Sequence, residues 1–256
     1  MDRTLVKFLY KVVFGILLSS CISAYAIDNT VPALTAKAWL VADKNGKMLD
    51  GNNTAEVRSI ASITKLMTVM IVLDANQDLT EIISTKLYNK KLTRRDLIGL
   101  AIVRSDNTAA RILCEKYTSG FNGCVDAMNN KAISLGMTHT KFVEPTGLMN
   151  DNVSTAEDLV KLVIAASKYP IINEDSNKDK ITMPINKKKS VQFNNTNRLV
   201  GHGYDFIVSK TGWITKSGGC IVMMINTNVG QRIVVLLGSK NTRTRIPEAK
   251  MIALAY

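Results

Sequence analysis

The sequence predicts an α+β protein: an antiparallel sheet built from both ends of the chain, flanked by helices, with a helical subdomain. Three observations carry that prediction. Early in the chain, KAWLVADKNGKMLDGNN reads as two strands joined by Lys44-Asn45-Gly46, and Asn-Gly between apolar runs is a strong hairpin signal. The middle of the chain is a succession of helical patterns. From residue 180 the pattern changes, and KITMPIN, KSVQF, YDFIVSKTG, GGCIVMMIN and QRIVVLLG read as strands. Strands first, helices next, then strands and one last helix is an α+β order.

Each element follows from its residues. The apolar run SIASITKLMTVMIVLDA predicts a buried helix over 61–75. Residues 78–95 are polar and short-patterned, a surface connection. Arg95-Asp96-Leu97 opens a second helix through LIGLAIVRS, which Ser105-Asp106-Asn107 interrupts. TAARILCEKY resumes helical spacing, and VDAMNNKAISLGM predicts another helix ending at Gly136. FVEPTGLMNDNVS is a loop. STAEDLVKLVIAASKY is an amphipathic helix, with Ser154 or Thr155 as cap and acids in its first turn. A final helix covers about 243–255.

At 256 residues, 46% hydrophobic and 21% charged, the chain has an ordinary globular composition and ample length for a core. Its first residues are not part of the fold. MDRTLVKFLYK is basic, VVFGILLSSCISAYA is apolar, and Ala24-Tyr25-Ala26 is a small-x-small cleavage site. Residues 1–26 therefore read as a secretory signal peptide, and 27–256 as one exported, periplasmic domain. Leu18-Ser19-Ser20-Cys21 offers a second possibility, a lipoprotein with Cys21 lipidated. No later segment approaches the length of a membrane span, so no transmembrane segment is expected in the mature chain.

The net charge of the chain is +12; residues 1–26 hold Arg3, Lys7, Lys11 and Asp2, which leaves +10. A basic exported protein is drawn to polyanions, and an anionic wall or membrane surface fits that compartment. Nucleic acid does not fit, because no nucleic-acid motif or basic-aromatic stripe is present. After signal removal Cys114, Cys124 and Cys220 remain. Cys114 and Cys124 flank a predicted interhelical turn and could close a disulfide; geometry decides that. Cys220 sits in an apolar strand as a small buried hydrophobe. No Cys or His cluster suggests a metal, and His139 and His202 lie in polar loops.

Three short motifs carry the chemistry. Ser62 and Lys65 stand three residues apart on the predicted helix, so they share a face. A serine hydroxyl is a weak nucleophile until a base takes its proton, and a desolvated lysine can be that base. Ser105 and Asn107, between two helices, offer a hydroxyl for proton relay and an amide that both donates and accepts. Lys210-Thr211-Gly212, at the end of a strand, presents a fixed charge for a carboxylate. Gly212 there leaves room for a substrate along the strand edge. Alone, each motif also fits a blander role: a capping Ser with a snorkelling Lys, an Asx turn, an ordinary turn.

In this order, Ser-x-x-Lys, Ser-x-Asn and Lys-Thr-Gly resemble the signature set of penicillin-binding proteins and serine β-lactamases. From about Lys37 onward the chain resembles the low-molecular-mass penicillin-binding proteins, D-alanyl-D-alanine endopeptidase branch. RSIASITKLMTVMIVLDA, TKFVEPTGLMNDNVSTAEDLVKL, NNTNRLV and KTGWITKSGGCIVM carry that likeness. The resemblance implies the serine β-lactamase/DD-peptidase fold and a cofactor-free serine hydrolase with no metal. It implies that Ser62 attacks and Lys65 takes its proton, with backbone N–H groups of Ser62 and Trp213 as oxyanion hole. Ser105 and Asn107 would serve the leaving amine and position the substrate, and Lys210, Thr211 and Gly212 would bind it. The implied partners are peptidoglycan stem peptides and cross-links, with β-lactam antibiotics as covalent inhibitors.

Rival readings make different demands. A class A β-lactamase carries Asn four residues after the Glu of its Glu-Pro pair; after Glu144-Pro145, position 148 is Leu. Glu144 therefore reads as structural. A D-alanyl-D-alanine carboxypeptidase shares the chemistry and often carries a further domain and an amphipathic anchor; this sequence runs to Tyr256, soon after its last helix, which favours the endopeptidase. A non-catalytic β-lactam sensor or wall-binding protein would keep the motifs without turnover. The stretch between helix 61–75 and Arg95 is shorter than expected for the endopeptidase branch, which bears on the cleft rim.

Overall fold

Strands β1 (Ala38–Asp43) and β2 (Met48–Asn52) form the expected antiparallel hairpin. Its turn closes through Gly46 N–H to Asp43 O at 3.0 Å, with Gly46 at φ +87°, a conformation glycine adopts without a Cβ clash. The computed structural model describes residues 33–84, 91–186 and 189–256. The expected signal peptide at 1–26 and the Cys21 alternative lie outside the described residues.

Three long strands complete the sheet: β9 (Asp205–Ile214), β10 (Gly218–Thr227) and β11 (Gly230–Ser239). The strand order is β2-β1-β11-β10-β9, antiparallel throughout. Ala38 stands opposite Leu237, so the first strand of the sheet zips onto the last. That is the predicted union of the two chain ends.

The period of two sorts the sheet's side chains onto two faces. Ile221, Met223 and Ile225 of β10 pack with Val234 and Leu236 of β11 against the last helix, α7 (Arg245–Ala255), through Ala249 and Ile252. Cys220, Val222 and Met224 point the other way, into the larger core shared with the central helices. At the heart of that core lies α1 (Thr64–Asp74). Leu66, Met67, Val69, Met70, Ile71 and Val72 are all buried, so α1 is apolar around its circumference and enclosed by its neighbours. Burying a side chain of this size contributes about 1.5–3 kcal/mol, which offsets the burial of Lys65, the one buried charged residue on that helix.

Short elements join these. α2 (Arg94–Gly99) begins in a capping box between Thr93 and Asp96 and runs into a π-helical turn at Leu100–Arg104. α3 (Asn107–Glu115) is N-capped by Asp106, which accepts from Ala109 N–H at 2.8 Å. α4 (Gly120–Ser134) follows, and α5 (Ala156–Ala166) is capped by Thr155 through Asp158 N–H at 3.1 Å. The disulfide between Cys114 and Cys124, with Cα atoms 5.3 Å apart, ties α3 to α4. Cys220 is a buried free thiol, and His139 and His202 are exposed.

Several elements differ from expectation. Helix 61–75 divides into a 3-10 turn at Ala61–Ile63 and then α1, because Ala61 takes φ +47°, outside any right-handed helix. The surface connection 78–95 contains two paired strands, β4 (Ile82–Ser84) and β5 (Lys91–Thr93). The loop after Phe142 contains β6 (Val153–Ser154), which pairs with β3 (Arg58–Ser59). An unexpected helix, α6 (Pro170–Asn177), starts on Pro170. It lies against β9, and Ser209 N–H donates to Ser176 Oγ at 3.0 Å. α6 thus closes part of the sheet's edge. β7 (Lys180–Asn186) and β8 (Lys189–Asn194) form a separate hairpin.

Candidate active site

The 3-10 turn before α1 brings Ser62 and Lys65 together. Lys65 Nζ lies 2.7 Å from Ser62 Oγ, 2.7 Å from Asn107 Oδ1 and 2.6 Å from the Thr146 carbonyl oxygen. Three oxygens surround the amine and none is a carboxylate. Lys65 is fully buried, and burial pulls its pKa down to about 7, partly offset by the negative charges of Glu144 and Asp106. A lysine near neutrality can hold or release a proton at physiological pH, which a surface lysine cannot.

The backbone around the nucleophile is strained. Among the described residues, four non-glycine residues have positive φ; two are Asn, which tolerates it, and the others are Ala61 and Ser105. Both flank this site, and each conformation costs about 1–3 kcal/mol that the surroundings must sustain. Ala61 is held by Gly147, whose own φ is +82°; a Cβ there would stand 1.9 Å from the Ala61 oxygen. Ser105 is delivered by the π-helical turn, whose extra residue swings it out of the helix line, and Asp106 N–H returns to Leu100 O at 3.0 Å.

Glu144 holds the facing loop. Its carboxylate accepts from Thr146 N–H at 2.7 Å, Gly147 N–H at 2.5 Å and Asn152 Nδ2 at 2.6 Å. Thr68 of α1 donates to Pro145 O at 2.8 Å. Glu144 is structural, as its sequence context suggested: its oxygens fix the loop that presents the Thr146 carbonyl to Lys65.

Lys210, Thr211 and Gly212 line the opposite side. Lys210 Nζ donates to Ser105 Oγ at 2.8 Å and to Thr211 O at 3.0 Å. Burial lowers its pKa well below the ordinary lysine value, and the positive charges of Lys65 and Arg245 lower it further. Thr211 Oγ1 donates to Thr196 Oγ1 at 2.7 Å. Two expectations for this motif are corrected. The strand does not end at Gly212, because β9 stays paired with β10 through Ile214. Nor is the space beside Gly212 kept for substrate: a Cβ there would lie 2.9 Å from Ser62 N and 3.1 Å from Ile60 O. Glycine is needed so that β9 can press against the nucleophile's own segment. Trp213 follows, half exposed.

The structure therefore gathers two hydrogen-bonded groups into one site, Lys65 with Ser62 and Asn107, and Lys210 with Ser105, bordered by Thr211, Gly212 and Trp213. The sequence did not point to Thr146, Thr196 or Arg245. Thr146 acts through its carbonyl, which every residue has. Thr196 lies in the NNTNRLV stretch, but nothing local marks its hydroxyl as a partner of Thr211. Arg245 Nη1 donates to Gly212 O at 2.5 Å across 33 residues. No group of metal-ligating side chains occurs among the described residues.

An antiparallel sheet carrying Lys-Thr-Gly on its edge strand, with Ser-x-x-Lys opening a buried helix and Ser-x-Asn between two others, defines the serine β-lactamase/DD-peptidase fold. Comparison with known proteins agrees. A family model described as D-alanyl-D-alanine carboxypeptidase matches residues 26–85 and 80–241. A D-alanyl-D-alanine endopeptidase of Escherichia coli is 35% identical over 247 residues, covering 90% of this chain and 80% of the relative. One from Pseudomonas aeruginosa is 36% identical over 233 residues, covering 84% and 75%. Penicillin-binding protein D2 of Listeria monocytogenes, solved in an ampicillin-bound form, superposes with a TM-score of 0.76 at 28% identity, over 86% of this chain and 97% of that one. The chain belongs to this D-alanyl-D-alanine carboxypeptidase family and is a serine-type D-Ala-D-Ala peptidase.

Proposed function

We propose that the protein is a D-alanyl-D-alanine endopeptidase that cleaves peptidoglycan cross-links through an acyl-enzyme on Ser62. The observation that carries this reading is the buried Lys65 amine, 2.7 Å from Ser62 Oγ, with a pKa near 7. Neutral Lys65 takes the Ser62 proton as Oγ attacks the D-alanyl carbonyl. The oxyanion is received by the backbone N–H groups of Ser62 and Trp213. Ser105, linked to Lys210, returns a proton to the leaving amine, and Asn107 orients the acyl part while holding Lys65. Lys210 and Thr211 hold the carboxylate of the leaving half, and Gly212 allows the close approach of β9 to Ser62. Water then frees Ser62. The chemistry uses only these side chains and calls for no cofactor.

Two relatives above 30% identity, each bearing the endopeptidase name, support cross-link cleavage over removal of a terminal D-Ala. The ampicillin-bound relative supports acylation of Ser62 by β-lactams. On sequence grounds, residues 1–26 direct export and the mature chain from Ile27 works in the periplasm. Among the described residues, no helix is long and apolar enough to cross a membrane. Edman sequencing of the protein recovered from cells should begin at Ile27.

The main test is digestion of purified cross-linked muropeptide dimers by the mature protein, followed by mass spectrometry. Dimers should become monomers, and penicillin should block this. Ser62→Ala should leave dimers intact and take up no penicillin label while keeping its fold by circular dichroism. Loss of single D-Ala residues from intact dimers would indicate a carboxypeptidase. A penicillin adduct on Ser62 with no cleavage at all would indicate a sensor.

A further inference from the structure

Ser105 stands in a left-handed conformation at the end of the π-helical turn, and Lys210 stands on β9. The two meet in one hydrogen bond of 2.8 Å, across 105 residues of chain. The Lys210 N–H fills an acceptor position of Ser105 Oγ, so the hydroxyl's own proton is left to point at another acceptor. The aim of that proton at a leaving amine therefore depends on how α2 and its π-helical turn are placed against β9.

Successive residues of α6 join those two elements. Asp175 is fully buried and accepts from both terminal nitrogens of Arg95, on α2, at 2.7 and 2.8 Å. Ser176 Oγ accepts at 3.0 Å from the N–H of Ser209, the residue before Lys210. The Asn177 amide accepts from Phe206 N–H at 3.0 Å and donates to the Phe206 carbonyl. A closed circuit results. It runs from Arg95 along α2 and the turn to Ser105, across to Lys210, and back by Ser209 and Ser176 to Asp175. A bidentate guanidinium–carboxylate pair fixes an angle as well as a distance, which one hydrogen bond does not. Stability alone is a weak reason for such a pair, because desolvating the charges can cost more than their attraction returns. Two features make its removal tolerable. Lys178 Nζ also donates to Asp175, at 2.9 Å, so the carboxylate keeps a cation when Arg95 is replaced. A neutral tie also spans the same gap: Thr196 N–H donates to Val103 O at 3.1 Å, and Asn197 Nδ2 to Ser209 Oγ at 2.8 Å.

We propose that Arg95 and Asp175 are positioning residues for departure of the leaving amine: their pair sets the approach of Ser105 to Lys210 and so the aim of the Ser105 proton. The proposal rests on the reading of Ser105 as the group that serves the leaving amine. Neither residue touches the substrate, and each acts through the element it holds.

The test measures kcat/KM, which reports acylation, on two donors that share one N-acyl-D-alanyl half, with the full mature chain. One donor is an amide and the other a thioester, and both leaving groups carry a carboxylate for Lys210. An amine must gain a proton to depart, whereas a thiolate departs without one. Ser105→Ala should therefore slow the amide more than the thioester. Asp175→Asn and Arg95→Met should slow the amide at least about tenfold, the loss falling on kcat, and leave the thioester within about twofold. Arg95→Lys keeps the charge but not the fork, so its amide rate should lie between those of Arg95→Met and the unaltered chain. Val41→Ala, in the core on the α7 face of the sheet, should lower Tm and leave the amide-to-thioester ratio unchanged. Equal slowing of both donors in Asp175→Asn and Arg95→Lys, or slowing of neither, would overturn the positioning role and leave the Ser105 reading intact. Equal slowing of both donors by Ser105→Ala would overturn the Ser105 reading and the positioning role with it.

Discussion

Lys65 and Lys210 are two buried lysines in one site, on opposite sides of the reacting centre, and their surroundings differ. Lys65 has three oxygen partners on rigid supports: Ser62 on the 3-10 turn, Asn107 opening α3, and the Thr146 carbonyl on the loop fixed by Glu144. Lys210 has two, Ser105 Oγ and its neighbour's carbonyl. The negative charges of Glu144 and Asp106 support the charged form of Lys65, whereas Lys210 feels only the added positive charges of Lys65 and Arg245. An amine with its acceptors in place is suited to trading a proton with one of them. A buried ammonium with no carboxylate of its own is suited to receiving one from a ligand.

The largest break in this comparison is Lys65→Met. Met fills a similar volume and removes the base. Acylation by penicillin should fall by about 10²–10⁴-fold, the usual contribution of a positioned general base. Stopped-flow acylation rates measure it directly, and a near-normal rate would mean that another group takes the Ser62 proton.

Lys210→Met should cost less and act elsewhere. Losing one charge-assisted hydrogen bond is worth about 1.5–3 kcal/mol, or about 10- to 100-fold. The loss should appear for donors that carry a carboxylate on the leaving side. Esters of the same donors, which lack that charge, should lose far less. Equal losses for acid and ester would transfer Lys210 to the proton-transfer side of the comparison.

The two sides were unequally legible in the sequence. Ser62, Lys65, Ser105, Asn107 and Lys210 belong to short motifs whose residue types state their chemistry. The alternating β10 and β11 strands and the apolar run of α1 were equally readable, because burial leaves its mark on the order of residues. What escaped was set by long-range contact. The turn that splits helix 61–75 depends on Gly147, 86 residues beyond Ala61, and it is a carbonyl of the same loop that receives Lys65. The role of Gly212 was misread for the same reason: its missing side chain makes way for Ile60–Ser62, a segment far away in the chain. α6 was missed because its polar PIINEDSN sequence has little apolar period, and its place is decided by the β9 edge it covers.

The pH dependence sharpens the comparison further. Lys65 must be neutral to act, so acylation should rise with pH through about 7 and level off above it. One unit below that pKa, at about pH 6, the rate should be about a tenth of the plateau. The same shift links to stability. In the folded state Lys65 sheds its proton near 7, whereas its ordinary value is 10.5, so between these values the unfolded chain binds more protons. Stability contributed through this group therefore rises with pH across that window. Lys65→Met should remove both the inflection in rate and that part of the stability slope.

The smallest effect belongs to Thr196, and it tests how finely the anion side is built. A hydroxyl has one proton and two acceptor positions. Thr211 donates its proton to Thr196 Oγ1 at 2.7 Å. For Thr211 to donate to a substrate carboxylate instead, the pair must reverse, with Thr196 donating to Thr211. Thr196→Val keeps the shape and removes that donor, so the Thr211 proton turns toward the ligand with no support behind it. One neutral hydrogen bond is worth about 0.5–1.5 kcal/mol, which predicts a two- to tenfold loss in acylation efficiency. The loss should fall on KM for carboxylate-bearing donors and spare their methyl esters, while the pH inflection from Lys65 stays near 7. An equal loss for acids and esters would mean that Thr196 serves only to pack the 194–200 segment against β9, leaving Thr211 to bind the anion alone.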